Sequence, residues 1–236
     1  MKISIVIPTY NEKNNIKPLV EKIFNLDIKN LNLIIVDDNS PDKTGKIIDQ
    51  LAKKYHITPI HRRKKKGLGS AYIAGFKQAL KKSADIIFEM DADFSHNPGD
   101  IPRFINAANQ GYDVIIGSRR IKGGDISGWN SIRNLQSKAA ATFARTLLNL
   151  KTHDITAGFR CYRKKVLQHI NLDSIKSNGY AFQEEMIYLC EKKRFKIKEI
   201  PVAFIDRSQG KSKLGPKDII EFFTTICRLK FKKIHE

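Results

Sequence analysis

Short apolar runs alternate through the first half of the chain with longer segments whose apolar positions recur at helical spacing. Lys2 to Ile7 reads as a buried strand, broken by Pro8-Thr9-Tyr10-Asn11-Glu12, where Asn11 is placed to cap a helix running to about Leu26. Leu31 to Val36 is a second apolar run, ending in Asp37-Asp38-Asn39-Ser40-Pro41-Asp42. A helix from about Thr44 to Tyr55 follows, with Ile47, Ile48, Leu51 and Ala52 on one face. Ile57 to Ile60 is a short strand, and Gly67-Leu68-Gly69 opens a helix to about Lys82. Asp85 to Met90 is a strand, Pro98 to Gln110 a helix, and Val114 to Gly117 another strand, ending in Ser118-Arg119-Arg120. This alternation predicts an α/β domain around a parallel or mostly parallel sheet.

In such a sheet, ligands sit beyond the carboxyl ends of the strands, where the strand order reverses. The strand ends here are chemically loaded: Pro8 to Glu12, Asp37-Asp38, Asp91-Ala92-Asp93 and Arg119. Alternate side chains of an extended segment point the same way, so Asp91 and Asp93 leave their strand together. Paired carboxylates suit a hard divalent cation that also holds substrate phosphates. Gly67-Leu68-Gly69 lacks the third glycine of a dinucleotide fingerprint, and the chain has no Gly-Lys-Ser/Thr phosphate loop. A Rossmann dehydrogenase and a P-loop nucleotidase are therefore set aside.

After Arg120 the pattern is less regular. Ile121 to Gly128 is a Gly-rich loop. Trp129 to Leu150 reads as a long helix with Arg133 and Ser137 on one face. A strand lies near Ile197 to Ile205, and Asp206 to Gly215 is a basic loop able to fold over a pyrophosphate through charge-assisted bonds. The helix from Pro216 onward mixes dense apolar residues with charges, which fits either a membrane interface or packing against the domain or a partner subunit. The division expected is a catalytic domain over 1–215 and an amphipathic C-terminal helix over 216–236.

Charge changes the picture more than length does. Lys and Arg number 43 against 24 Asp and Glu, a formal net charge of +19, which draws the protein to polyanions. Most basic residues are scattered pairs of the kind found on solvated helix faces; Arg62-Arg63-Lys64-Lys65-Lys66 is denser. Charge alone motivates a nucleic-acid-binding reading, but the aromatic-basic strings of common RNA modules are absent, so no nucleic-acid partner is expected. Cys161, Cys190 and Cys227 lack paired spacing, which suggests reduced thiols in a cytosolic protein. No signal peptide or run of 18 uncharged apolar residues is evident.

Taken together, Pro8-Thr9-Tyr10-Asn11-Glu12, Asp37-Asp38-Asn39-Ser40-Pro41-Asp42, Gly67-Leu68-Gly69-Ser70-Ala71-Tyr72, Met90-Asp91-Ala92-Asp93-Phe94-Ser95-His96-Asn97-Pro98, Gly117-Ser118-Arg119 and Asp206-Arg207 through Lys213-Leu214-Gly215 resemble the dolichol-phosphate (polyprenyl-phosphate) mannose synthases. These are inverting glycosyltransferases of family two with the GT-A fold. The resemblance runs from residue 2 to about 225. It implies that Pro8, Tyr10, Glu12, Val36, Asp38, Asp91, Ala92, Asp93, Arg119, Arg207 and Lys213 bind the nucleotide sugar. Asp93, Asp91 and Ser95 are implied to face a Mg2+ or Mn2+ ion, with Ser95 standing where some relatives have Gln. Arg119, Arg133 and Ser137 are implied to hold the acceptor phosphate. Asp93, Arg119, Arg207 and Lys213 are the implied catalytic set. Gln183 and Glu185 fit the pattern Gly-Tyr-x-Phe-Gln-x-Glu-Met, whereas Ala157 departs from the usual Ser.

The implied reaction moves mannose from GDP-mannose to dolichyl or polyprenyl phosphate with inversion, on the cytoplasmic face of a membrane, alone or beside a small membrane-anchoring subunit. A phosphate monoester, with a second pKa of roughly 6, is already anionic near neutral pH, so the site needs cations more than a base. UDP-glucose or another sugar nucleotide is the alternative donor, and a non-catalytic subunit of a membrane complex is the non-enzymatic alternative.

Overall fold

The computed structural model describes residues 1–179, 181–206 and 216–231, with 216–218 as backbone only. The first half follows the predicted alternation: β1 (Ile3–Thr9), α1 (Ile16–Phe24), β2 (Leu31–Asp37), α2 (Thr44–Ala52), β3 (Ile57–His61), α3 (Leu68–Lys81), β4 (Ile86–Glu89), α4 (Ile101–Asn109) and β5 (Val114–Ser118). Then come β6 (Asp125–Ser127), α5 (Ser131–Leu148), β7 (Arg160–Arg163), α6 (Lys164–His169), α7 (Phe182–Lys192), β8 (Ile197–Pro201), β9 (Ala203–Ile205) and α8 (Pro216–Phe231). The main sheet has seven strands in the order β3-β2-β1-β4-β7-β5-β8.

All seven run parallel except β7, which is antiparallel to both β4 and β5. Every residue of β2 is buried, as expected for a strand covered on both faces. Alternate residues feed two core layers. Val6, Ile34, Val36 and Ile87 pack with Tyr72, Phe76, Phe182 and Met186, while Ile5, Ile7, Ile35 and Phe88 pack with Leu19, Ile48, Ile101 and Phe104. Helix α3 lies so close to β1 that a Cβ at Gly75 would stand 2.2 Å from a Val6 methyl, which requires glycine there.

The chain adds β2 and β3 on one side of β1, then crosses to add β4 on the other. That reversal brings the carboxyl ends of β1, β2 and β4 together, with Thr9 opposite Asp37 in the register.

Several local expectations change. Asn11 does not cap α1: it sits at φ 60°, its backbone N–H donates to Ser40 Oγ, and the helix starts only at Ile16. The Gly-rich 121–128 segment contains β6, which pairs with β9 as a separate two-stranded sheet. The single strand expected over 197–205 breaks at Val202, because its first part joins the main sheet and its second pairs with β6. β7 and α7 carried no recognisable period: β7 is charged at both ends, and α7 is buried at nine consecutive positions from Phe182 to Cys190, so it shows no polar stripe. The expected 206–215 loop lies outside the described residues beyond Asp206.

Candidate active site

A cleft of about 250 Å³ opens at the strand-order reversal. Pro8, Tyr10 and Glu12 reach it from the end of β1, Asp38 from β2, and Asp91, Ala92 and Asp93 from β4. Lys65, Gly67 and Leu68 close one side, and Asn178 and Gly179, just before α7, close another. Seven of the residues expected to bind the nucleotide therefore share one cavity. Val36 is not among them: its side chain is fully buried on β2. Arg207 and Lys213 lie outside the described residues.

The two carboxylates of the β4 end are held by different means. Asp91 Oδ1 accepts the Tyr72 hydroxyl at 3.0 Å, and the Asp91 backbone N–H donates to His96 Nδ1 at 3.1 Å. An Nδ1 that accepts leaves the proton on Nε2, so the imidazole is neutral. Burial agrees, holding the His96 pKa down despite the charges of Asp91 and Asp93. The ring stacks on Phe159 at a centroid distance of 5.2 Å. Asp93 Oδ1 accepts the Ser95 backbone N–H at 3.1 Å, a local turn completed by Phe94 at φ 63°. A bulky residue in the left-handed region costs energy, and here it turns Asp93 towards the cleft.

Among the described residues no three His, Cys, Asp or Glu side chains converge into a complete metal cage. Mg2+ does not need one: it is commonly held by one or two carboxylates plus substrate phosphates and water. Asp91 and Asp93, both lining the cavity, fit that donor set. Ser95 is buried, its Oγ lacks a hydrogen-bond partner among the described residues, and it does not line the cavity.

Part of the basic run turns inward instead of serving as a solvated face. Arg62 pairs with Asp38 through Nε and donates to Ser70 Oγ at 2.7 Å and to the Gly67 carbonyl at 3.2 Å. Lys65 Nζ lies 4.0 Å from the centre of the Tyr10 ring. The run thus shapes the wall between β2 and α3 and places a cation beside an aromatic face.

A second polar cluster surrounds the end of β5. Arg119 donates to both oxygens of Asp154 at 2.8 Å and to Thr156 Oγ1 at 2.7 Å. Burial alone would raise the Asp154 carboxyl, but the Arg119 guanidinium outweighs it and holds the pKa below the usual range. On α5, Arg133 pairs with Asp206 at 2.6 Å and stacks 4.3 Å from the Trp129 ring centre. Ser137 Oγ accepts from Arg120 Nη2 at 3.0 Å, and Asn134 Oδ1 accepts from Arg120 Nη1 at 2.6 Å. Arg120 was not singled out from the sequence, although its place beside Arg119 after an apolar run was the available signal. None of these arginines lines the Asp91–Asp93 cavity.

Beneath the site lies a buried ionic layer. Arg160, fully buried on β7, donates to the carbonyls of Gln183 and Ile155 and stands 3.5 Å from Glu89. Burial pushes the carboxyls of Glu89 and Glu184 up to about 8. Gln183 is also buried, and Glu185 Oε2 accepts from Ser177 and Arg228, which makes Glu185 a tie between elements. Ala157 is buried beside this layer in the core.

An α/β sheet with one antiparallel insertion, an acidic cleft at the order reversal and an arginine cluster at its flank define a sugar-nucleotide transferase of the GT-A class. The model of Glycosyl transferase family 2 matches residues 4–170, and the chain belongs to that family. It is 39% identical to a polyprenol monophosphomannose synthase of Mycolicibacterium smegmatis over 92% of this chain and 82% of that protein. An undecaprenyl-phosphate mannosyltransferase of Micrococcus luteus is 38% identical, covering 97% of this chain and 93% of the relative. A dolichol-phosphate mannosyltransferase of Pyrococcus furiosus is 41% identical over 97% of this chain, which spans 64% of that relative's length. Among solved structures, glucosyl-3-phosphoglycerate synthase from Mycobacterium tuberculosis in complex with Mn2+, uridine diphosphate and phosphoglyceric acid superposes with a TM-score of 0.71 at 17% identity, covering 99% of this chain and 80% of that one. At that identity the likeness concerns the fold.

Proposed function

We propose that the protein transfers a mannosyl group from a nucleotide-activated donor to polyprenyl phosphate. The observation that carries this is the 38–41% identity, over more than nine-tenths of the chain, to mannosyltransferases named for polyprenol, undecaprenyl or dolichol phosphate. The cleft's chemistry supports it, since Asp91 and Asp93 stand in its lining with Lys65, and the Arg119–Arg133 cluster lies outside that lining at the end of β5. GDP-mannose is the proposed donor.

In the proposed reaction an oxygen of the acceptor phosphate attacks the anomeric carbon. A new C–O bond forms as the bond to the donor diphosphate breaks, and the electron pair leaves with the diphosphate. No proton has to be removed, which agrees with a neutral, buried His96 and an Asp91 already engaged with Tyr72. In-line displacement inverts the anomeric centre. Tyr10 and Glu12 border the nucleotide, with Asp38 fixed by Arg62 as part of the wall. Asp91 and Asp93 would hold a divalent ion, Mg2+ or Mn2+, which supplies charge neutralisation to the leaving diphosphate. Arg119, Arg133 and Ser137, with Arg120 bridging to α5, receive the acceptor phosphate; Arg207 and Lys213 are assigned to the donor phosphates.

Access to a lipid acceptor calls for a membrane surface. Among the described residues no helix is long and apolar enough to cross a membrane. Helices α5 and α8 touch through Phe143 and Phe223 at 5.8 Å and expose Ile132, Leu135, Ile219, Ile220 and Phe223. We assign this surface to peripheral contact with the cytoplasmic face of a membrane, alone or beside a small anchoring subunit.

The test is incubation with radiolabelled GDP-mannose, Mg2+ or Mn2+, and polyprenyl phosphate in detergent. Lipid-linked label that survives mild alkali and is released by mild acid is expected. No label at any metal concentration overturns the proposal, and label from UDP-glucose but not GDP-mannose reassigns the donor.

A further inference from the structure

One wall of the donor cleft is held from two helices. Asn178 and Gly179 line the cavity yet belong to an irregular segment between Ile175 and α7. Their backbone N–H groups both donate to Glu221 Oε1, at 2.7 and 3.1 Å. The two preceding residues are tied mainly to α7, where Glu185 Oε2 accepts the Lys176 and Ser177 backbone N–H groups at 3.2 and 3.0 Å, and Ser177 Oγ also lies 3.2 Å from Thr225 Oγ1 and accepts from Arg228 Nη2 at 2.9 Å.

The segment then hands this restraint to the turn from Gly67 to Ser70 that lines the cleft. Asn178 Oδ1 accepts the Ser70 backbone N–H at 3.2 Å, and the Asn178 carbonyl accepts from Gly69 at 2.9 Å. Gly69 and Gly67 permit the approach: a Cβ at Gly69 would meet the Ser177 carbonyl at 2.7 Å, and one at Gly67 would meet Asn178 Oδ1 at the same distance.

From these contacts we infer that Glu221 of the C-terminal helix is a positioning residue for the donor cleft, acting through the 176–179 segment and the Gly67–Ser70 turn. Helix α8 is seated on the domain by Ile226 and Leu229, both fully buried, and by the Tyr188 hydroxyl, which donates to the Leu229 carbonyl at 2.9 Å. Ile219, Ile220 and Phe223 of the same helix are exposed. The helix that offers an apolar surface to its surroundings therefore also fixes the shape of the nucleotide wall. Glu221 is half-buried, and its carboxylate accepts two successive backbone N–H groups at once, a charge-assisted tie that fixes the local backbone.

The inference rests on the proposed donor only for the choice of GDP as probe. Amide hydrogen exchange of Asn178 and Gly179, whose N–H groups Glu221 accepts, and titration with GDP plus Mg2+ are compared in the full chain and in the Glu221→Ala and Glu221→Gln variants. Glu221→Ala is expected to raise exchange of these amides and to raise Kd for GDP, and KM for GDP-mannose, by about tenfold, with kcat at saturating donor held within about twofold. Glu221→Gln keeps an acceptor oxygen and is expected to recover most of the loss. Unchanged exchange in Glu221→Ala overturns the inference whichever nucleotide binds. Faster exchange with GDP affinity unaltered also overturns it, as does a fall in kcat without a change in KM. Faster exchange with no GDP binding even by the unaltered chain overturns the GDP assignment and leaves the coupling in place.

Discussion

The Tyr72 hydroxyl, buried on α3, donates to Asp91 Oδ1 at 3.0 Å, so the first carboxylate of the cleft is oriented by a core helix. Burial, joined by the charges of Asp91 and Glu89, lifts the Tyr72 pKa well above its usual value and keeps it a donor. Tyr72→Phe preserves the stacking on Phe182 at 5.8 Å while deleting this bond. Metal-dependent affinity for GDP is expected to fall about tenfold, since hydrogen bonds to charged groups contribute ~1.5–3 kcal/mol. Calorimetric titration at fixed Mg2+ decides, and wild-type affinity would show that the bond orients nothing.

Asp93→Asn separates charge from shape. The substituted amide oxygen still accepts the Ser95 N–H, so the turn around Phe94 should persist. Transfer is expected to fall at least ~100-fold, the scale seen when one electrostatic stabiliser is removed. Thermal unfolding should move by no more than a few degrees, and residual activity above a tenth of wild type would refute the role assigned to this carboxylate.

Asp154→Ala tests the flank. It would strand the Arg119 guanidinium, whose side chain is 8% exposed against 1% for Asp154. Breaking a buried pair from one side costs about 3–5 kcal/mol, so urea unfolding should show a loss of that size. A loss below 1 kcal/mol would mean that the pair adds little to the fold.

The ionic layer under the cleft predicts a pH dependence with a definite sign. Glu184 is raised from 4.5 to about 8 in the folded state, mainly by burial. The native state thus holds a proton that the unfolded chain releases, and stability should fall as pH rises between those two values. Glu89 acts in the same direction. Glu184→Gln removes one such group, so the decline in unfolding free energy from pH 5 to pH 8.5 should be shallower than in wild type. An equal or steeper decline would contradict the assignment.

Apolar contact with a membrane is tested on the side of α8 away from the core. Ile220 is 63% exposed and Ile219 50%, so Ile219→Ser with Ile220→Lys leaves the core and the Phe143–Phe223 contact in place. Partition onto vesicles carrying anionic lipid should drop about tenfold by flotation. Unchanged partition would move the contact surface elsewhere.

Much of this architecture was legible in the chain. β1, β2 and β4 announce themselves as apolar runs ending in Pro8 to Glu12, Asp37-Asp38 and Asp91 to Asp93, because a strand buried on both faces needs continuous apolar sequence and its end needs polar groups. The same rule hides α7, which is buried all around and keeps Gln183, Glu184 and Glu185 inside, and β7, which carries the buried Arg160. Such buried groups are tolerable only where distant partners pair them, as for Arg160, or where burial keeps them protonated, as for Glu184, so no local pattern reports them.

The sequence by itself determined the alternating α/β order, the acidic strand ends and the excess of cations, because periodicity and residue chemistry are local properties. The tertiary structure alone decided which of them meet. It placed Val36 in the core and not on the cleft, turned Arg62 inward to Asp38, tied Arg119 to Asp154, and set Glu221 behind a wall of the site 42–43 residues away. Those outcomes depend on which buried donors and acceptors satisfy one another after the strand order reverses, and that pairing exists only once the sheet has formed.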